Sequence, residues 1–121
     1  MLDLSIALTG PYAAALMADQ GAEVIKVERP GLGDIARWVG ASVNGLTSLY
    51  LVCNRGKRSI VVDLDQPEGA ELVRRLAADA DVVFQNFRPG VVDRLGVGYE
   101  DVRAVNPDVV YVSLSGFGSA G

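Results

Sequence analysis

Apolar and polar positions fall along this chain in short blocks, and the blocks change period. Residues 2–8 form an apolar run closed by Thr9-Gly10-Pro11, which reads as a short buried strand. Pro11 suits the first turn of a helix, where its missing N–H leaves nothing unsatisfied. Residues 12–20 then place Ala13, Leu16 and Met17 on one helical face, with Gly21 positioned as a left-handed C-cap. Residues 23–28 (EVIKVE) read as a second strand. A strand, a helix and a strand in so short a span imply parallel pairing through a right-handed crossover.

Residues 30–45 are rich in glycine and polar side chains and predict a loop, with a short helix around residues 35–39. Residues 47–53 fit either period, with helix favoured. A third strand is expected over residues 59–64. Asp65 or Gln66 then caps a helix with Pro67 in its first turn, running to about Asp79, with Leu72, Leu76 and Ala80 as its apolar stripe. Residues 81–85 form a fourth strand. Residues 91–95 form a short helix ended by Gly96, and residues 99–105 another, stopped by Asn106-Pro107. A fifth strand over residues 109–115 precedes Gly116-Phe117-Gly118. Strands alternating with helices predict an α/β fold: a doubly wound, mostly parallel sheet with flanking helices. No repeat, low-complexity segment or inter-domain linker interrupts it.

A length of 121 residues allows one domain that buries roughly two thirds of its unfolded surface. The net charge of −4 argues against non-specific nucleic-acid binding, which needs a broad basic face. No apolar run reaches the roughly 20 residues of a membrane helix, so no membrane partner is expected. Residues 4–18 are apolar enough to resemble a signal peptide. They lack a basic flank, follow Asp3 and are broken by Gly10-Pro11, and so are not read as one. Cys53 is the single cysteine, which excludes an intrachain disulfide and suggests a reducing, cytoplasmic setting. The absence of histidine excludes Ser-His-Asp and Cys-His nucleophile systems and His-based metal sites within this chain.

The basic residues are where chemistry first shows. Arg29, Arg37, Arg55, Lys57, Arg58, Arg88 and Arg94 all fall in or beside predicted loops, and the segment NRGKRS (54–59) concentrates three of them before a strand. Arginine offers a planar fork for phosphate and lysine a compact charge. In open α/β sheets ligands bind beyond the carboxyl ends of the strands. Those ends hold Thr9-Gly10, Glu28-Arg29, Leu64-Asp65, Asn86-Phe87-Arg88 and Ser115-Gly116-Phe117. An anionic, phosphate-bearing ligand is the expectation. Asn86 is placed to hydrogen-bond a ribose, adenine or amide, and Phe87 to pack on an adenine or an apolar linker. Arg74 and Arg75 read as a solvated helix face. The first β-α turn, TGPYAAALMADQG, is not G-x-G-x-x-G, so Glu28 alone is a weak sign of a dinucleotide site.

Three long segments carry a family resemblance: GPYAAALMADQGAEVIKVERPGLGDIAR, NRGKRSIVVDLDQPEGAELVRRL and ADVVFQNFRPGVVDRLGVGYEDVRAVNPDVVYVSLSGFG. Together they closely resemble the N-terminal part of class III CoA-transferases, which include formyl-CoA and carnitine CoA-transferases and have alpha-methylacyl-CoA racemase as a relative. The resemblance runs from Leu2 to Gly118. It implies a Rossmann-like large domain, of which this chain is an incomplete N-terminal part, with the small domain and the catalytic segment lying outside it. It implies coenzyme A or acyl-CoA as substrate with no permanently bound cofactor, a carboxylic acid as the second small molecule, and an interlocked homodimer for the full-length protein. Carried over residue by residue, it places Arg29 near the adenine and phosphates, Val62 near the adenine, Asn86 and Phe87 along the CoA, and Arg94 and Leu95 near its phosphates and pantetheine. Arg37, Lys57, Arg58 and Arg88 are added as candidate contacts. The transferases' nucleophilic Asp lies downstream of the GFG segment, so no catalytic residue is assigned here. Asp63, Asp65 and Asp93 read as strand-end, cap and surface residues. The stretch between Asp34 and Asn54, and QNFRPG, favour transferase over racemase. A racemase-like protein and a non-catalytic nucleotide-binding fragment remain the alternatives.

Overall fold

The computed structural model of the protein describes residues 1–118. Its strands in chain order are β1 (Leu2–Asp3), β2 (Ile25–Glu28), β3 (Ser42–Val43), β4 (Leu46–Thr47), β5 (Arg58–Val61), β6 (Val82–Gln85) and β7 (Val110–Ser113). Its helices are α1 (Thr9–Asp19), α2 (Ser48–Asn54), α3 (Pro67–Ala78), α4 (Val91–Arg94) and α5 (Tyr99–Arg103), with a 3₁₀ turn over Ile35–Trp38. Five strands make one sheet in the order β5-β2-β1-β6-β7, and every pairing in it is parallel. The α/β class and the flanking helices are thus as the sequence predicts.

Local chemistry explains the element ends. At the end of α1, Gly21 adopts φ +99° and donates to the Ala18 carbonyl at 3.0 Å, while Ala22 donates to Met17 at 3.0 Å. This is a Schellman stop, and the left-handed residue it needs is the glycine. Pro67 opens α3 as its first residue, with Gln66 as an extended N-cap. Thr47 caps α2 by accepting from the Tyr50 N–H at 3.0 Å, which resolves residues 47–53 as a capped helix.

Two expectations are corrected. Residues 30–45 are not all loop, because β3 and β4 pair as an antiparallel hairpin. Its two turn residues, Asn44 and Gly45, both have positive φ (53° and 76°), as a type I′ turn requires. The first strand is shorter than residues 2–8. After Leu4 donates to the Phe84 carbonyl at 2.8 Å, the chain turns away through Ala7 at φ 67°, and α1 begins at Thr9.

The two faces of the sheet are unlike. Leu2, Leu4, Val27 and Val83 join Val73 and Ala77 of α3, Val92, Val97 and Val102 in one apolar core. Strand side chains alternate between faces, so Asp3, Ser5, Lys26 and Glu28 point the other way. All four are buried there nonetheless, on the side where α1 and α2 pack together. Among the described residues, no helix is long and apolar enough to cross a membrane.

Candidate functional site

β1 is flanked by β2 and β6. From β1 the chain builds outward to β2 and β5, then returns to add β6 and β7 on the other side. This reversal of strand order leaves a crevice at the carboxyl ends, the usual ligand position in such sheets. A cleft of about 640 Å³ lies there, with an apolar floor that includes Leu4, Val62, Phe87 and Leu95. Arg29 and Trp38 line it and also line an adjoining shallower cleft of about 530 Å³.

Each wall residue is set by an element end. Arg29 follows the last residue of β2, and Val62 follows β5 with its N–H on the Glu28 carbonyl at 2.9 Å. Phe87 is held by its own N–H, which donates to Gln85 Oε1 at 2.8 Å, while Gln85 Nε2 donates to Ser113 Oγ at 2.9 Å. Leu95 is the C-cap of α4. Arg29, Arg75, Arg88 and Arg94 join no ion pair among the described residues, and all four are exposed. Arg88 adjoins Phe87 and Arg94 adjoins Leu95, so both flank the cleft without lining it.

The remaining candidates have their polar groups engaged within the protein, and of these Arg37 lines the adjoining cleft. The Asn86 side chain is occupied by backbone: Oδ1 accepts from Ile6 N–H and Nδ2 donates to Ile6 O, both at 2.8 Å. It ties β6 to the loop after β1 across the point where strand order reverses. The Arg37 fork lies on Glu28, with Nε to Oε2 and Nη2 to Oε1 both at 2.8 Å. Lys57 is buried away from the cleft, donating to Asp3 Oδ2 at 2.7 Å, Pro11 O at 2.8 Å and Asn54 Oδ1 at 3.1 Å. Arg58 opens β5 and pairs with Glu23, at the amino end of the sheet and opposite the cleft. Arg55 pairs with Asp19. The basic residues of NRGKRS therefore supply ion pairs to the scaffold and line neither cleft, while its Ser59 lines the adjoining one.

Three buried charges carry no sequence signature of their own. Asp34 pairs with Lys26 at 2.7 Å and accepts from the Ala7 N–H at 2.9 Å and the Ala36 N–H at 2.8 Å. Lys26 also donates to the Ser5 carbonyl at 2.7 Å, and Asp3 accepts from the Ser5 N–H at 2.9 Å. Every polar backbone contact of residues 5–7 named here ends on one of Asp3, Lys26, Asp34 and Asn86. The loop that opens the cleft is thereby fixed from below.

Glu28 is the most perturbed acid. Burial works against its charge, but hydrogen bonds from Arg37, Tyr50, Ser59 and the Asp34 N–H outweigh this and hold its pKa far below the ordinary 4.5. The same pair raises the Arg37 pKa. A depressed acid stabilises the fold above its unfolded pKa, and the contribution is lost as pH falls toward its folded value. We therefore expect the stability gap between the protein and Glu28→Gln to be widest above pH 4.5 and to narrow progressively below it, as read by urea unfolding at stepped pH. A gap that widens on acidification would refute the assignment. Burial raises the Cys53 thiol, so it is not poised as a thiolate nucleophile.

With this geometry in place, comparison with known proteins defines the class. The family model described as CoA-transferase family III matches residues 1–121, and the chain belongs to that family. It is 44% identical over its whole length to succinyl-CoA:glutarate CoA-transferase of Mus musculus, of which it covers 28%. It is 46% identical to succinyl-CoA–D-citramalate CoA-transferase of Chloroflexus aurantiacus, covering 30% of that protein. The crystal structure of a CAIB/BAIF family protein from Brucella suis superposes with a TM-score of 0.92 at 46% identity, over 99% of this chain and 33% of that one. The chain thus spans about a third or less of the length of these relatives.

Proposed function

We propose that this chain is the CoA-binding N-terminal part of a class III CoA-transferase, which moves CoA between an acyl-CoA and a carboxylic acid. The family match across the whole chain carries the reading. The mouse and Chloroflexus relatives are transferases whose names specify succinyl-CoA, which favours transfer over racemisation and points to a dicarboxylate as one partner acid. The cleft at the carboxyl ends has the right character for a CoA. Its floor is apolar enough for an adenine or pantetheine, and Arg29, Arg88 and Arg94, in or beside it, join no ion pair among the described residues. CoA and the acid are both substrates in this reading, and no resident cofactor is invoked.

The chemistry belongs to the two thirds of the relatives' length that this chain does not span. There a carboxylate attacks the acyl-CoA carbonyl and expels CoA thiolate, leaving a mixed anhydride. The thiolate then attacks the enzyme's own acyl carbon, releasing the donor acid and forming an enzyme thioester. Asp63, Asp65 and Asp93 take no part in it. We place the full-length protein as a homodimer in the cytoplasm.

Titration calorimetry with CoA tests the binding role. Arg29→Glu is expected to weaken CoA at least tenfold, about 1.4 kcal/mol, because it reverses a free charge in the cleft. Arg58→Glu, on the opposite end of the sheet, is expected to leave the affinity within about twofold, since its charge is screened beyond a Debye length. Equal losses in the two variants would place the nucleotide elsewhere.

A further inference from the structure

The one-turn helix α4 is held from outside by two side chains that do not line the cleft. A helix this short has little stability of its own, so its position is set by its contacts. Left-handed glycines bound it, with Gly90 at φ 80° before it and Gly96 at φ 69° after Leu95. The Gly96 N–H donates to Asp93 O at 3.1 Å and the Val97 N–H to Val92 O at 3.0 Å, which closes the turn. The carbonyls of Gly96 and Val97 are then taken by other elements. Arg74 Nη1, from α3, donates to Gly96 O at 2.7 Å, and the Tyr111 hydroxyl, from β7, donates to Val97 O at 2.9 Å. Burial raises the Tyr111 pKa, which keeps that hydroxyl a donor. Glu71, one turn back on α3, steadies the guanidinium, with Arg74 Nη2 to Oε2 at 3.1 Å. The approach is close: a Cβ at Gly96 would stand 3.1 Å from Arg74 Nη1. The next residue of α3, Arg75, is exposed and joins no ion pair among the described residues.

We propose that Arg74 is a positioning residue for CoA binding, with Tyr111 as a second anchor: together they fix the turn that brings Arg94 and Leu95 to the cleft. The inference rests on the cleft being the CoA site, and goes further by giving a role to two residues that line no part of it. Leu95 lines the cleft floor and Arg94 flanks it, one and two residues before the Gly96 carbonyl. The bond from Arg74 to that carbonyl is charge-assisted and so among the stronger kinds. Without it, Val92 and Val97 still anchor α4 in the apolar core, where both are buried, while Arg94 and Leu95 gain freedom. Freedom at a binding side chain is lost when the ligand arrives, and that ordering is subtracted from the affinity. A turn already held by α3 and β7 loses less.

Titration calorimetry with CoA, on the protein and its variants, tests the role. Arg74→Met is expected to weaken CoA about fivefold, the scale of a coupling within one contact network. Arg74→Lys keeps a charged donor and is expected to recover most of that loss. Tyr111→Phe removes only the hydroxyl of the second anchor and is expected to weaken CoA in the same direction. Arg75→Met makes the same charge change one residue along and is expected to stay within about twofold, since its charge is solvated and screened. In an Arg94→Met background the further loss from Arg74→Met is expected to fall below about twofold, because the two act through one turn. Should Arg74→Met fail to melt cooperatively, Tyr111→Phe in the same two backgrounds replaces it. Equal losses in Arg74→Met and Arg75→Met, a loss undiminished in the Arg94→Met background, or an affinity unmoved in cooperatively folded variants overturns the positioning role while leaving the CoA site standing. No binding of CoA by the protein itself overturns the site and the role together.

Discussion

Replacing Asp34 with alanine is expected to remove most of the stability of this protein. Asp34 and Lys26 are both buried, at 1% exposure each, and their charges face each other at 2.7 Å. Removing Asp34 leaves the buried Lys26 ammonium with only Asp3 at 4.0 Å, a carboxylate that Lys57 already holds at 2.7 Å, and breaking such a buried pair costs about 3–5 kcal/mol. Two backbone N–H groups, those of Ala7 and Ala36, lose their acceptor in the same change. A domain of this kind has about 5–15 kcal/mol in total. Urea unfolding should show the loss as a large drop in midpoint. The paired change Lys26→Met with Asp34→Leu removes both charges and is expected to recover much of the deficit, because no charge is then left alone. A single variant as stable as the parent would mean that the pair is not buried as described.

Gly69→Ala is expected to destabilise, against the usual sign for an alanine in a helix. Ordinarily the change gains about 0.8–1 kcal/mol of helix propensity. Gly69 lies in the first turn of α3, and a Cβ built there falls 1.9 Å from the carbonyl oxygen of Asp63. The obstacle is backbone, which cannot rotate aside, so α3 or the turn after β5 must move. Overpacking of this kind costs about 1–3 kcal/mol or more, and the severity of the overlap puts this site at the upper end. Thermal melts of the variant should therefore show a lowered Tm. A raised Tm would show that propensity prevails and that the approach is not as close as described. Val62, which lines the cleft, sits within the same approach, since its Cγ1 is 3.2 Å from that Cβ position. A shift of α3 should thus also be felt as weaker nucleotide binding.

Much of the architecture is legible in local chemistry. Gly21 and Pro67 mark a helix end and a helix start for backbone reasons that do not depend on the rest of the chain. The hairpin at Ser42–Val43 and Leu46–Thr47 was equally legible, through the Asn44-Gly45 pair, but its strands are two residues long and carry no period strong enough to stand out. The site was legible only in part. Arg29, Val62, Phe87 and Leu95 are brought to one cleft because each lies within two residues of the end of an element. Asn86 sits in the same place, but its amide is spent on the Ile6 backbone, a contact between residues 80 positions apart. No local pattern announces such a pairing.

The sequence by itself determined the order and kind of the elements, the parallel sheet that follows from alternating strands and helices, and membership of the family. Those depend on short-range backbone preferences and on long runs of residues that read the same in any context. Only the tertiary structure decided which charges are free. Arg55, Lys57 and Arg58 are neighbours in the chain, yet they end on Asp19, Asp3 and Glu23 in three different places. The physical reason is the geometry of a strand entered from a helix. Successive side chains leave in different directions, and the strand's amino end lies a full sheet length from the cleft. The same alternation sends Lys26 and Glu28 to one face and Val27 to the other. Whether that polar face meets water or helices is set by α1 and α2, and because they cover it, its charges had to be matched inside.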